Sequence, residues 1–228
     1  MQEIDVKRLD DREFTEKELE VMKELFSDSL LYMAALKEVQ TKIDILRDDF
    51  KRSNAYNPIE HIKMRIKQPN SILKKVYNRG LPLNAESIKE NINDIAGIRV
   101  VCTFKSDIYK IVEILKKSEE IRILQVKDYI AHPKESGYQS YHMIVEIPVY
   151  MITGKKFCKV EIQLRTMAMD FWASLEHKIR YKYDSKVPQE IKDELFDCSK
   201  IVDNLDDKML KLHTKVHNPD EEQIETNL

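Results

Sequence analysis

Two carboxylates in this sequence, Asp94 and Glu161, are hard to explain by structural needs alone. Asp94 comes just before one strand-like run, and Glu161 lies in the middle of another. Carboxylates that meet across a sheet can hold Mg²⁺, which commonly takes one or two of them together with substrate phosphates. The pair therefore suggests phosphoryl or nucleotidyl transfer, in which positioning and charge neutralisation carry most of the catalysis.

Cations are concentrated between residues 57 and 80. The group consists of five cationic residues and one serine: Arg65, Lys67, Ser71, Lys74, Lys75 and Arg79. A charge run of this kind is usually a solvated face, but the same residues could bind a polyphosphate. Both interpretations stay open on composition alone.

The stretch "KESGYQSYH", residues 134–142, contains one of only four glycines in the chain. Gly137 would let the backbone turn sharply and present the ring of Tyr138 to a ligand, for example by stacking on a base. The alternative is an ordinary loop that leads into a strand. Two common signatures of nucleotide enzymes are missing, because the chain has no GxxxxGK[ST] and no glycine followed by serine. It also has no "HD" pair, which leaves no candidate for a metal-dependent hydrolase site of the HD type.

Several elements must position these residues. The first fifty residues read as helix, and their apolar stripe from Leu36 to Phe50 packs either on the chain's own core or on another subunit. A helix is predicted to begin at Asn57 and Pro58 and to end near Pro69, followed by a second helix that ends at Gly80. A strand is predicted over residues 96–104, and a helix capped by Ser106 follows it.

A second strand near residues 121–130 and a hairpin over residues 141–166 complete the predicted sheet. In the last strand Glu161, Gln163 and Arg165 share one face, which is either a wet surface or a polar site. A helix that buries Phe171, Leu175 and Ile179 follows, and Pro188 begins a long final helix. The pattern predicts an α+β domain with a sheet of at least four strands and helical flanks.

Composition excludes several classes of protein. The 228 residues carry 38 basic and 40 acidic side chains, which argues against a dedicated polynucleotide binder. No run is long and apolar enough for a membrane span, and the charged N-terminus does not resemble a signal peptide, so a cytoplasmic location is expected. Cys102, Cys158 and Cys198 form no CxxC pair and are expected to be buried and free.

Four stretches together resemble the small alarmone synthetases of the RelA/SpoT family. They are "NPIEHIKMRIKQPNSIL", "DIAGIRVV", "HPKESGYQSYH" and "VEIQLRTMAMDFWASLEHKIRYKY". The resemblance implies a nucleotidyltransferase-like mixed sheet of about five strands with flanking helices. It also implies a Mg²⁺-dependent GTP/GDP diphosphokinase, which moves the β,γ-diphosphate of ATP to the 3′-hydroxyl of GDP or GTP and so forms ppGpp or pppGpp and AMP. The other hypothesis is an inactive module on the same fold that binds guanosine nucleotides or RNA.

The resemblance also assigns residues. Asp94 and Glu161 are the expected catalytic residues and metal ligands, with Glu161 as the base. The expected ATP site is Arg65 on the adenine, with Lys67, Ser71, Lys75 and Arg79. The expected GDP/GTP site is Arg99, Lys127, Lys134, Tyr138, His142, Gln163, Asp170 and Glu176, with Tyr138 stacked on guanine.

The match is not uniform. An adenine-stacking arginine found in many relatives aligns with Asn78 here, next to Arg79, and Asp170 stands where some relatives have asparagine. The expected organisation is a helical region over residues 1–56, a synthetase core over 57–183 and a helix with an acidic tail over 184–228. A homotetramer is expected from the family, with the long helices as contact surface; RNA binding is not indicated.

Overall fold

The computed structural model describes residues 13–54, 56–182 and 187–217. Its strands are β1 Ile59–Ile66, β2 Ala96–Cys102, β3 Arg122–Asp128, β4 Tyr141–Met151 and β5 Gly154–Thr166. Its helices are α1 Glu16–Ser27, α2 Ser29–Asn54, α3 Pro69–Asn78, α4 Ala85–Asn91, α5 Lys105–Lys116, α6 Met167–Lys182 and α7 Gln189–His217. No helix in these ranges combines the length and apolar character that a membrane span needs.

The strands form one mixed sheet in the order β1-β2-β5-β4-β3. β2 and β5 run parallel at its centre, and every other neighbouring pair is antiparallel. The parallel pair is joined through a long connection, whereas β4 and β5 form a hairpin with Gly154 in the left-handed region at φ 106°. This is the mixed α+β sheet with flanking helices that the sequence predicts.

One face of the sheet lies against the hydrophobic core. Ile98, Val100, Ile162, Leu164 and Met143 lie on it and are at most 1% exposed. Helix α2 packs across this face through Leu36, Val39 and Ile43, which are fully buried, with Leu46 and Phe50 partly buried beside them. The helical stripe therefore packs on the chain's own core and not on another subunit.

The segment 57–69 corrects one prediction, because it contains strand β1 and not a helix. Asn57 and Pro58 carry helix-start signals, but the Asn57 side chain bonds the backbone N–H of Ile59 at 3.2 Å and its carbonyl at 2.7 Å. This is a local turn of the kind that Asn commonly makes. Pairing with β2 then satisfies the backbone that a helix would have satisfied internally.

Three smaller predictions were also wrong. Helix α5 starts at Lys105 with Phe104 as its N-cap, so Ser106 is inside the first turn and is not the cap. The Asp107 carboxylate accepts from the backbone N–H of Phe104 at 3.1 Å. Helix α6 turns Trp172 inward and leaves Phe171, Leu175 and Ile179 between 38% and 63% exposed. Finally, Cys198 is exposed, although Cys102 and Cys158 are buried as expected. Gly80, with φ 61°, ends α3 as predicted.

Candidate active site

Polar residues cross the sheet in two rows on the face opposite the core. Directly paired residues on neighbouring strands point to the same face, so the register defines each row. The first row is Arg65, Gly97, Glu161, Ile144 and Gln125, and the second is Lys63, Arg99, Gln163, His142 and Lys127. The polar residues that alternate along β5 therefore lie on a largely polar surface of the sheet. We call this surface the polar face.

A cavity of about 240 Å³ lies above the β5, β4 and β3 part of these rows. It contains both predicted catalytic carboxylates and four of the predicted cationic or imidazole groups. Its lining includes Lys75, Asp94, Lys127, Lys134, His142 and Glu161. The carboxylate cavity, as we call it, therefore combines residues from α3, from the segment before β2, and from β3, β4 and β5.

Asp94 is held by two lysines. Its Oδ2 accepts from Lys75 Nζ at 2.6 Å and from Lys67 Nζ at 3.0 Å. Burial alone would raise the pKa of Asp94, but the hydrogen bond from Lys75 and the charge of Lys67 outweigh it, so the pKa lies below its usual value. Asp94 is thus a stable anion inside the cavity.

Glu161 receives its contacts from the neighbouring strand and from its own. His142 Nδ1 lies 3.4 Å from its Oε1, and Gln163 Nε2 donates to its Oε2 at 2.8 Å. Burial and the nearby charge of Asp94 act to raise the pKa of Glu161, whereas His142 and Gln163 lower it, and the net shift is downward. The lowered pKa keeps this carboxylate ionised at neutral pH.

The donor set fits a divalent cation that is shared with phosphate. Asp94 Oδ1 is buried and has no hydrogen-bond partner, so one carboxylate oxygen in the cavity is free to coordinate. Within the described ranges no group of three or more Asp, Glu, His or Cys residues could bind a metal by itself. Two carboxylates plus substrate oxygens is the arrangement in which Mg²⁺ is usually bound.

A second cavity of about 430 Å³ adjoins the first, because Gln163 lines both. Its other lining residues include Arg65, Arg99, Tyr138, Arg165 and Glu176. The Arg65 side chain lies over Gly97, whose missing Cβ would be 3.7 Å from the Arg65 Cγ and Nε atoms. Arg65 and Arg99 therefore line one cavity, so Arg99 is close to a predicted ATP residue as well as to the predicted guanosine residues.

The loop before β4 positions Tyr138. Gly137 has φ 82°, and a Cβ there would lie 2.0 Å from Ser199 Oγ on α7, so only glycine fits this turn without a shift. The Tyr138 ring packs against Trp172, Ala173 and Leu195. Lys134 Nζ lies 4.9 Å from the ring centroid, a cation–π contact. The sharp turn that the sequence predicts at Gly137 is present, and α7 packs directly on it.

Three predicted ATP residues, Lys67, Ser71 and Arg79, line neither cavity, although Lys67 bonds Asp94. Ser71 is exposed in the first turn of α3 and lines neither one. The Arg79 guanidinium donates to the backbone carbonyl of Asn91 at 3.0 Å, which directs it along the end of α4. Neither Ser71 nor Arg79 is brought to the carboxylates in this structure.

Glu176 lines the second cavity from α6, whereas Asp170, also on α6, bonds two arginines that line it, so both carboxylates are already paired. Asp170 Oδ1 accepts from Arg99 and from Arg165, each at 3.0 Å, and Glu176 pairs with Arg180. Arg165 was not predicted as a site residue, although it is 5% exposed and contacts Tyr138 as well as Asp170. The sequence could have indicated Arg165, because it continues the period of two that puts Glu161 and Gln163 on one face of β5.

Comparison with known proteins supports a common origin for this site. The family described as "Region found in RelA / SpoT proteins" matches residues 64–186. GTP pyrophosphokinase YwaC from Bacillus subtilis is 45% identical over 196 residues, which cover 86% of this chain and 93% of that protein. GTP pyrophosphokinase YjbM from the same organism is 37% identical over 185 residues, covering 81% and 86% respectively.

Solved structures agree with the sequence matches. The small alarmone synthetase 1 from Bacillus subtilis, bound to its product pppGpp, superposes with a TM-score of 0.80 at 35% identity, covering 86% of this chain and 100% of that one. The small alarmone synthetase 2 from the same organism has a TM-score of 0.75 at 45% identity, with 85% and 98% coverage.

Proposed function

Because the chain belongs to the RelA/SpoT family, we propose that it is a GTP/GDP diphosphokinase, an alarmone synthetase. It transfers the β,γ-diphosphate of ATP to the 3′-hydroxyl of GDP or GTP, and forms AMP together with ppGpp or pppGpp. The observation that carries the proposal is that Asp94 and Glu161 share one cavity with Lys75, Lys127 and Lys134. Lysines next to two carboxylates suit a polyphosphate and a metal, since the carboxylates alone would repel the phosphates.

On the ATP side, Arg65 and Arg99 border a cavity wide enough for a purine, and guanidinium planes stack well on aromatic rings. Lys67 and Lys75 are near enough to Asp94 to move from it to the phosphates when ATP binds. On the acceptor side, Tyr138 stacks on guanine, while Lys127, Lys134 and His142 contact the phosphates. This division follows the family's pattern. Tyr138 lines the same cavity as Arg65 and Arg99, whereas Lys127, Lys134 and His142 line the carboxylate cavity.

Glu161 is the residue that takes the proton from the acceptor 3′-hydroxyl. It is on the central strand β5, paired on both sides, so its carboxylate is held on a rigid element. Its lowered pKa keeps it ionised. Asp94 and Glu161 would hold Mg²⁺, which supplies charge neutralisation at the phosphates and lowers the pKa of a hydroxyl that it contacts.

A nucleotide assay with ATP, GDP and Mg²⁺ that resolves AMP from ADP tests the proposal. We expect AMP and ppGpp in equal amounts, and a loss of at least about 10²-fold in turnover for Glu161→Gln, the scale of losing a general base. Glu146→Gln is the matched control, since Glu146 is on β4 but pairs with Arg122 outside the carboxylate cavity. Binding of GDP without AMP formation would favour the inactive module.

We also propose that the chain is a homo-oligomer and that α6 and α7 form its contact surface. Phe171, Leu175 and Ile179 on α6 are exposed at a spacing of four residues. A second exposed apolar stripe, on α7, consists of Ile201, Leu205, Met209, Leu212 and Val216. Exposed apolar stripes of this kind are typical of interfaces between chains. The tetrameric state and the cytoplasmic location remain predictions.

A further inference from the structure

Arg165 is a buried cation in the lining of the second cavity, which Arg65, Arg99 and Tyr138 also line. Its side chain is 6% exposed, which is unusual for arginine and calls for good partners. The guanidinium donates from Nη1 to Asp170 Oδ1 at 3.0 Å and from Nη2 to the Tyr138 hydroxyl oxygen at 2.7 Å. It therefore contacts the proposed guanine-stacking residue directly, at the far end of that ring.

The hydrogen-bond direction follows from the chemistry of arginine. A guanidinium has only N–H donors, so the Tyr138 oxygen must accept from Arg165. The hydroxyl proton of Tyr138 is then left for His142 Nε2, which lies 2.9 Å away. Both contacts are within normal hydrogen-bond distance, so they hold the hydroxyl end of the Tyr138 ring in place, while packing against Trp172, Ala173 and Leu195 restricts the rotation of the ring.

Asp170 extends this set of contacts to the ATP side. The same oxygen, Oδ1, that accepts from Arg165 also accepts from Arg99 Nη1 at 3.0 Å. One carboxylate thus lies between two guanidinium groups that would otherwise repel each other. Burial and the charge of Arg165 lower the pKa of Arg99, and Asp170 acts against both effects.

From this geometry we infer that Arg165 is the positioning residue for Tyr138. We further infer that the series of contacts Arg99–Asp170–Arg165–Tyr138 couples the part of the second cavity that is proposed for ATP, beside Arg65 and Arg99, to the guanine-stacking ring of Tyr138 in the same cavity. The inference rests on the proposed function for the identity of the two ligands. When a nucleotide fills the cavity beside Arg99, it holds that guanidinium against Asp170, which in turn holds Arg165 and the Tyr138 hydroxyl. The ring is then fixed for the second nucleotide.

Double-mutant binding tests the positioning role without any turnover. The Kd of GDP is measured by calorimetry for the wild type, Arg165→Lys, Tyr138→Phe and the double variant. Lysine keeps the charge but cannot reach both partners with a planar fork. In the background that keeps Tyr138, we expect Arg165→Lys to weaken GDP binding roughly 10-fold, which is the scale of a hydrogen bond from a charged group. In the Tyr138→Phe background it should change the Kd less than about 2-fold.

The double variant decides between positioning and a general structural effect. If Arg165→Lys weakens GDP binding equally in both backgrounds, Arg165 does not act through the Tyr138 hydroxyl and the inference is wrong. Arg122→Lys is the matched control, because Arg122 also pairs with a carboxylate but is 76% exposed at the sheet edge. If circular dichroism shows that Arg165→Lys is unfolded, Tyr138→Phe alone still tests the contact, because it removes only the oxygen that accepts from Arg165. It should then weaken GDP binding roughly 10-fold, and an unchanged Kd would refute the positioning role.

The coupling is tested by measuring the Kd of GDP with and without AMPCPP, a non-transferring ATP analogue. In the wild type we expect AMPCPP to tighten GDP binding several-fold, within the usual 5–150-fold range of linked sites. Asp170→Asn, which loses the charge between the two arginines, should bring that ratio close to one. An unchanged ratio in Asp170→Asn would refute the coupling. A wild type that couples the two ligands but forms no AMP would refute the proposed function and leave this inference standing.

Discussion

Asp94 shows, at the scale of one residue, how the site can be both stable and reactive. Its two lysine partners lower its pKa, although burial acts in the opposite direction. The same lysines are the groups expected to bind ATP phosphates, so substrate binding and carboxylate release are linked. Its second oxygen, Oδ1, has no hydrogen-bond partner and is available to a metal.

The lowered pKa of Asp94 predicts a pH-dependent stability. A carboxyl group whose folded pKa lies below its ordinary value of 3.8 stabilises the fold above that pH, and this contribution is lost as the pH falls through the folded pKa. Asp94→Asn should therefore be less stable than the wild type by about 1–3 kcal/mol at pH 7, the cost of leaving buried charges without their partner. The gap should shrink below about pH 3.8.

Urea denaturation at pH 7, 5 and 3.5 measures the gap. A difference that grows towards acid pH would contradict this account of Asp94. Asp28→Asn is a suitable comparison, because Asp28 also bonds two lysines, Lys89 and Lys156, but lies outside both substrate cavities. It should lose stability with the same sign of pH dependence while keeping its activity.

Substitutions of Tyr138 and of Arg65 are expected to affect different substrates, the first GDP and the second ATP. Tyr138→Ala removes the proposed stacking surface for guanine and should weaken GDP binding by about 1–3 kcal/mol, with little change for ATP. Arg65→Ala should weaken ATP binding and leave GDP binding nearly unchanged. Calorimetric titration of each variant with GDP and with AMPCPP measures both. Equal losses for the two ligands in Tyr138→Ala would mean that the tyrosine only supports the fold.

At the scale of elements, β5 and α7 have different parts in building the site. β5 contributes Glu161, Gln163 and Arg165 to the polar face from one central strand, so their spacing is set by the strand itself. Helix α7 contributes no proposed catalytic group. It nevertheless packs against Gly137 and so determines the path of the loop that positions Tyr138.

Gly137→Ala should therefore destabilise the protein more than the same change at Gly80. Both glycines have positive φ, at 82° and 61°, so both substitutions carry backbone strain of about 1 kcal/mol. Only Gly137 adds a steric clash, since its new Cβ would meet Ser199 Cβ at 2.6 Å, whereas nothing lies within 4 Å at Gly80. The expected excess is about 1–3 kcal/mol, the usual cost of overpacking.

Thermal or urea unfolding of both variants gives this excess directly. We also expect Gly137→Ala to weaken GDP binding, because the clash moves the Tyr138 loop or α7. Equal destabilisation at the two glycines would show that α7 does not restrict the loop.

On the scale of the whole molecule, the N-terminal and C-terminal helices differ in how they use apolar surface. Helices α1 and α2 bury theirs in the same core as the sheet, as Leu25 and Leu36 show at 0% exposure. Helices α6 and α7 leave apolar stripes exposed. Helices α6 and α7 therefore carry apolar stripes that are available for assembly, whereas the α2 stripe from Leu36 to Phe50 is used in the chain's own core.

Leu205→Glu tests that surface. Leu205 is in the middle of the α7 stripe and is 53% exposed, so the substitution should not disturb the fold of one chain. In an oligomer it would bury an unpaired charge, and we expect the particle mass to fall towards 27.0 kDa in multi-angle light scattering. Ile152→Glu at the exposed hairpin turn is the control. A wild type that is already monomeric at micromolar concentration would contradict the proposal.

Local sequence patterns were sufficient for much of the sheet. The period of two predicted the polar alternation of Glu161 and Gln163, and the hairpin of β4 and β5, because side chains on a strand alternate whatever the strand pairs with. The positive φ of Gly80 and Gly137 was predictable for a similar reason, since the need for glycine is set by the backbone itself. The family motifs then supplied most of the candidate site residues.

Local patterns failed where a partner element decided the outcome. Asn57 and Pro58 favour a helix start, yet pairing with β2 makes the following residues a strand. The spacing of apolar residues along α6 could not show which side of the helix faces the core, because Phe171 and Trp172 are both apolar. Trp172 is the buried one because it packs against α7.

The sequence alone thus determined the strand alternation, the sharp turns and the chemical types of the site residues, all of which depend on near neighbours along the chain. Only the tertiary structure decided that Asp170 lies between Arg99 and Arg165, that Ser71 and Arg79 lie away from the carboxylates, and that α7 packs on Gly137. These contacts join residues far apart in sequence, and their energy exists only when separate elements pack together.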